Sequence, residues 1–103
     1  MPALTYNVGG IDYDVYFEKP EEDGLLGEIR YDLQRIVVDN ELPPQRKAQV
    51  LTHELAHAIF AEAGFDDQDE ELVNRIGIVL HRFLCDNRPD QLAAIADVER
   101  YGG

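Results

Sequence analysis

The hydrophobic pattern changes period once along this chain, near residue 40. Before that point the spacing is that of strands. Ile11-Asp12-Tyr13-Asp14-Val15-Tyr16-Phe17 alternates with period two, is rich in β-formers and follows a Gly9-Gly10 turn. Leu4 to Val8 supplies a partner strand. Lys19 to Gly24 is polar and holds both Pro and Gly, which marks a loop. Gly27 to Asp32 and Gln34 to Asp39 read as a hairpin.

After residue 40 the spacing becomes helical. Asn40 or Glu41 precedes Leu42-Pro43-Pro44, and proline suits a first helical turn. From Gln45, the positions Val50, Leu51, Leu55, Ala58, Ile59 and Ala61 fall on one side of a helix that Gly64 should stop. A second helix is expected to start within Asp66-Asp67-Gln68-Asp69-Glu70-Glu71, where the helix dipole favours acids. It runs through Leu72, Val73, Ile76, Val79, Leu80, Phe83 and Leu84 and stops before Pro89. A short third helix, from Pro89 to about Arg100, carries Leu92, Ile95, Ala96 and Val98. Strands first and helices after is an α+β order. The expected architecture is N-terminal antiparallel strands, a first helix, an antiparallel second helix and a short C-terminal helix, in one domain over residues 1–103.

Composition narrows the function classes. Net charge is −12, from 21 acidic and 9 basic residues, which argues against direct nucleic-acid binding and against anionic membrane surfaces. It suits a basic partner, although solubility alone accounts for it. No apolar run approaches the ~20 residues of a membrane span. The opening Met1-Pro2-Ala3-Leu4-Thr5-Tyr6 does not read as a signal peptide, and the single Cys85 cannot form an internal disulfide. The cytoplasm of a bacterium or of an infected host cell is the expected compartment.

The candidate chemistry lies inside the first helix, at His53-Glu54-Leu55-Ala56-His57. Residues four apart share a helix face, so both imidazoles can point at one metal ion, and Glu54 can act on a water held there. As mere accident, the motif would leave an uncompensated polar stripe in an otherwise apolar helix. A catalytic Zn2+ usually has three protein ligands and one water. The extension that would place Gly at position 60 and His at position 63 is missing; these are Phe60 and Ala63. The third ligand must come from elsewhere. If the helices fold back antiparallel about Gly64, His57 faces Glu70 or Glu71 and His53 faces Asn74. His81 stands a further ~16 Å along the second helix, too far to share the metal. Glu70 shares a face with Asn74 and with Gly77, a glycine that would let the helices approach closely; Glu71 shares one with Ile78 and Arg82. Glu70 is the preferred ligand. A competing role is also open, because Asp67-Gln68-Asp69-Glu70 fits a capping box with Asp67 as cap.

Taken together, His53 to His57 and Asp69-Glu70-Glu71-Leu72-Val73-Asn74-Arg75-Ile76-Gly77 resemble the ImmA/IrrE-type metallopeptidases, especially their small phage-encoded zincin-like members. Gly27-Glu28-Ile29-Arg30-Tyr31 and Asp86-Asn87-Arg88-Pro89 echo patterns of that group. The resemblance covers roughly residues 24 to 90. It implies a gluzincin-like zinc site with the ligand at Glu70, since Asn74 and Gly77 match the family's Glu-x-x-Ala-Asn-x-Phe-Ala pattern. It also implies peptide-bond hydrolysis by a small metalloendopeptidase, with a regulatory protein as substrate, as in larger members that cut repressors. The chain departs from those members at Ala56, where Gly is common, and at Ala61, where a His can follow. It also lacks a Met-Pro at the end of the second helix.

In the expected mechanism Glu54 takes a proton from the attacking water and passes it to the leaving amine. Tyr31, Tyr101, His81 and Arg82 are the candidate oxyanion donors, and Asn74 could support His53. A strand beside the motif helix, Gly27 to Asp32 or Gln34 to Asp39, could hold an extended peptide. Two other readings remain: a zinc-holding scaffold that binds a partner without cleaving it, and an acidic phage interaction protein such as a DNA mimic. Against the mimic, the acids cluster at helix starts and loops rather than in duplex-like rows.

Overall fold

The strand-like half of the chain folds into one four-stranded sheet and the helical half into an antiparallel pair that rests on it. The structure, a computed structural model, describes residues 1–87. The helix expected between Pro89 and about Arg100 therefore lies outside the described residues. The strands are β1 (Leu4–Val8), β2 (Ile11–Phe17), β3 (Gly27–Arg30) and β4 (Arg35–Val38). The helices are α1 (Pro44–Glu62) and α2 (Glu70–Asp86). No helix among the described residues is long and apolar enough to cross a membrane.

The sheet order is β1-β2-β4-β3. The two hairpins, β1 with β2 and β3 with β4, are antiparallel as the sequence suggests. The central pairing departs from that expectation, because β2 and β4 run parallel. The reason lies in β4. Its Ile36-Val37-Val38 run is buried throughout, as befits an interior strand. The connection from Glu18 to Leu26 carries the chain past that slot, β3 becomes the outer edge, and β4 returns between β3 and β2.

Alternation decides which face is covered. Tyr13 and Val15 of β2 and Ile36 and Val38 of β4 point inward, each no more than 1% exposed. Leu51 and Ala58 of α1 close over them. The helix begins at Pro44 with a proline in its first turn, and its N-terminus has no side-chain cap. It ends at Ala63, after which Gly64 takes φ +99°, the left-handed conformation of a helix stop. On the other side of α1, α2 buries Val73 and Gly77. A Cβ added at Gly77 would sit 3.6 Å from Ala56 Cβ and 3.8 Å from His53 Cα, ordinary contact distances. The close approach of the helices thus does not require glycine there, contrary to the sequence expectation.

Gly27 is different. A Cβ at that position would lie 2.6 Å from Val50 Cγ1 and 3.2 Å from the Val37 carbonyl oxygen. At that point the edge strand rests its backbone on the Val50 and Glu54 side chains of α1, with no side chain of its own between.

One polar contact ties the sheet to the end of α1. The Tyr13 hydroxyl donates to Glu62 Oε2 at 2.6 Å, with the tyrosine ring in the core. Burial first, and then this hydrogen bond, push the phenol's pKa well above its ordinary value. Tyr13→Phe should lower stability at pH 7 by about 1 kcal/mol, the usual worth of such a bond. The raised pKa also sets a sign: the phenol's contribution is complete below its unfolded value near pH 10 and is lost as pH rises toward the folded value. Urea unfolding at pH 7 and pH 11 checks both, since the gap between wild type and Tyr13→Phe should narrow at the higher pH.

Candidate metal centre

On α1, the residues Arg46, Gln49, Val50, His53, Glu54 and His57 form one helical stripe, and that stripe is the floor of a cleft of about 870 Å³. The facing wall is α2. Because the helices are antiparallel about Gly64, the first residue of α2 comes to lie across from the second histidine. Glu70 Oε1 stands 3.1 Å from His53 Nε2 and 3.2 Å from His57 Nε2. The three side chains each offer one ligand atom, and these atoms all lie within 4.8 Å of one another. Donors around a tetrahedral zinc, ~2.0–2.1 Å from the metal, are about 3.3 Å apart. The spacing and the nitrogen-and-oxygen chemistry of the set therefore fit that ion.

Glu71, the other acid considered, turns away and pairs with Arg75 at 2.8 Å. The capping-box reading of Glu70 is overturned as well. Asp69 is the N-cap, accepting from the backbone N–H groups of Glu71 (2.9 Å) and Leu72 (3.3 Å). The helix starts inside the acid run, as expected, but Asp67 lies two residues before the cap. Glu70 becomes its first residue, with no capping task and a side chain free to reach α1.

Gln68 was not singled out by any motif, yet it holds the second histidine. Its Oε1 accepts from His57 Nδ1 at 2.7 Å. Its amide nitrogen donates to the His57 carbonyl oxygen and to the Tyr31 hydroxyl, both at 3.2 Å. An amide oxygen can only accept, so Nδ1 of His57 carries a proton, and Nε2 is the nitrogen turned toward Glu70. The only signal in the sequence was its place just before α2, which spacing alone does not connect to His57.

Glu54 is 6% exposed, packed beneath β3, and its Oε2 is buried without a hydrogen-bond partner among the described residues. Burial, the largest cause, pushes its pKa up; His53 and His57 pull it down, and Glu70 and Glu28 add to the rise. The other sequence candidates separate by place. Asn74 lines the cleft but makes no hydrogen bond to His53 among the described residues. His81 Nδ1 meets Thr52 Oγ1 at 3.2 Å, away from the histidine pair. Arg82 pairs with Asp86, and Tyr101 lies outside the described residues. The Tyr31 hydroxyl accepts from Gln68, and burial leads the rise of its pKa, with Glu54 and Glu70 contributing.

An unpartnered buried carboxylate is a stability defect, on the order of 1 kcal/mol. Glu54→Gln should therefore raise the melting temperature of the metal-free protein at pH 7 by about 5 °C. The raised pKa fixes the direction with pH. The defect is absent below the ordinary value of 4.5 and grows as pH rises through the folded value, so the gain should vanish in acid. Thermal melts of the two proteins at pH 4 and pH 7 read this directly.

No curated protein and no solved structure matches the chain. A family model does: Peptidase_M78, the IrrE N-terminal-like domain, matches residues 11–78. That span begins with β2 and ends in α2, so it takes in the sheet's centre and edge, the motif helix and Glu70. With roughly two thirds of its length under that match, the chain belongs to the ImmA/IrrE family, as a metallopeptidase-like domain of the IrrE N-terminal type.

Proposed function

We propose that this protein is a small zinc-dependent endopeptidase acting on a protein substrate, with His53, His57 and Glu70 as metal ligands and Glu54 as general base. The observation that carries this reading is the meeting of Glu70 Oε1 with both imidazole Nε2 atoms, at 3.1 and 3.2 Å, beside a buried carboxylate. Zinc bound there would supply a Lewis acid, lowering the pKa of water toward ~7 and polarising the scissile carbonyl. Everything else falls to the chain. Gln68 keeps the His57 ring oriented with Nε2 toward the metal side. Glu54 has an acceptor oxygen that no other group among the described residues uses, and burial raises its affinity for a proton. It can take a proton from the attacking water and hold it until the leaving amine accepts it. Tyr31 accepts from the Gln68 amide and helps to hold it against the His57 ring.

Substrate would lie along β3. Of the two strands considered from sequence, β4 is interior and β3 is the edge. The Leu26 carbonyl accepts from the Asp39 N–H at 2.9 Å, so by the alternation of antiparallel pairing Gly27 and Ile29 turn their backbone groups outward. An extended peptide can pair with them by strand addition, over the histidines.

Elemental analysis should find about one zinc per chain, none in His57→Ala and less in Glu70→Ala. A wild-type protein that takes up no zinc on reconstitution would end this reading. Glu54→Gln should keep the metal and lose hydrolysis by about 10²–10⁴-fold. For Gln68→Ala the expected effect is a ~10–100-fold weaker hold on zinc, measured by competition with a chromophoric chelator. Unchanged affinity there would mean that the ring is positioned by packing alone.

A further inference from the structure

The cleft does not end at the histidines. Its two helical stripes continue toward the start of α1 and the end of α2, and each finishes in an arginine. On α1 the stripe runs from His57 back through His53 and Val50 to Arg46, at helical spacing. On α2 it runs from Glu70 through Gly77 and Ile78 to Arg82. Antiparallel packing puts both ends on the same side, so Arg46 and Arg82 flank one mouth of the groove. Leu25, Leu26, Val50 and Ile78 share the lining of the groove with the polar Gln49 and His81. The acids of the lining are Glu28 on β3 and, within the cluster region, Glu54 and Glu70.

Arg46 is unusual among the basic side chains of the described residues. Lys19, Arg30, Arg75 and Arg82 each pair with an acid, Arg35 lies over Tyr16, and Lys47 lies over Phe17. Arg46 has neither an ion-pair nor an aromatic partner among the described residues, although the chain carries 21 acids. Among the described residues Arg82 pairs only with Asp86, one turn along an exposed helix face, at 3.2 Å. Such a pair contributes little and exchanges readily. A guanidinium offers a planar fork of donors matched to a carboxylate.

Resting on the peptidase reading above, we propose that Arg46 and Arg82 form a specificity subsite for a carboxylate of the peptide substrate, at the end of the cleft away from the metal ligands. Arg46 lies seven residues before His53, which is about 10 Å of helix. An extended peptide covers that distance in about three residues. The carboxylate can belong to an Asp or Glu side chain or to the peptide's C-terminus. The protein's net charge of −12 repels acidic groups elsewhere on its surface, so this mouth is where one would be accepted.

The test separates binding from cleavage. Fluorescent eight-residue peptides would carry Glu or Gln at each position in turn, with the C-terminus free or amidated. Anisotropy with the Glu54→Gln protein should show one carboxylate, at one position, improving affinity roughly tenfold, as a charge-assisted hydrogen bond would. Adding Arg46→Gln should bring the Glu and Gln peptides within about twofold, Arg82→Gln should give a smaller loss, and Arg46→Glu should turn the preference toward Lys. Discrimination tied to the free C-terminus would assign the carboxylate to the chain end rather than a side chain. The same peptides given to zinc-loaded wild type report hydrolysis. Cleavage without any Arg46-dependent preference would overturn the subsite and leave the peptidase reading standing. Arg46-dependent binding without cleavage of any peptide would keep the subsite and overturn the peptidase. Absence of binding in every peptide would overturn the subsite.

Discussion

Helix α1 is held on two sides at once, by the sheet below and by α2 beside it, and this confinement governs the rest of the structure. Its apolar residues have fixed destinations: Leu51 and Ala58 in the sheet's core, Ala56 against α2. The side chains that remain, His53, Glu54 and His57, share the sector left between β3 and α2. Their convergence follows from helical phase, and their depth from what flanks them. Glu54 is sealed because β3 lies directly above it, and His57 is half-buried because α2 begins beside it.

The turn at Gly64 then performs the remaining placement. A left-handed residue there reverses the chain within a few positions, and Asp69 caps the new helix through its own side chain. Asp69 relieves Glu70 of that duty. Gln68, in the short link between the helices, reaches back to the His57 ring and backbone together. One connection thus delivers a carboxylate to the imidazoles and fixes the proton of one of them.

How far this was legible in the sequence depended on whether spacing or tertiary contact set each feature. His53 and His57 on one face, and Glu70 or Glu71 opposite His57, follow from helical period, and the stop at Gly64 from glycine's left-handed freedom; both are written in the sequence. The choice between Asp67 and Asp69 as cap was not, because both precede an acid run and the start of a helix shifts by a residue or two without altering its pattern. Gln68 carries no motif, and its role arises from a contact eleven positions away in sequence. The parallel pairing of β2 with β4 was missed for another reason. A nine-residue connection can lead to an adjacent slot or past it, and only the fully apolar Ile36-Val37-Val38 run hinted at an interior strand.

Gly27 brings a mechanical consequence. Where most neighbouring elements are separated by side chains from both sides, here only the Val50 and Glu54 side chains of the helix stand between it and the strand's backbone. A chain that paired with the outer edge of β3 would be stiffly geared to the helix bearing the histidines. Tension or displacement along that edge would pass to His53 and His57 with little slack, and one missing methyl group sets the height at which any docked backbone rides above them.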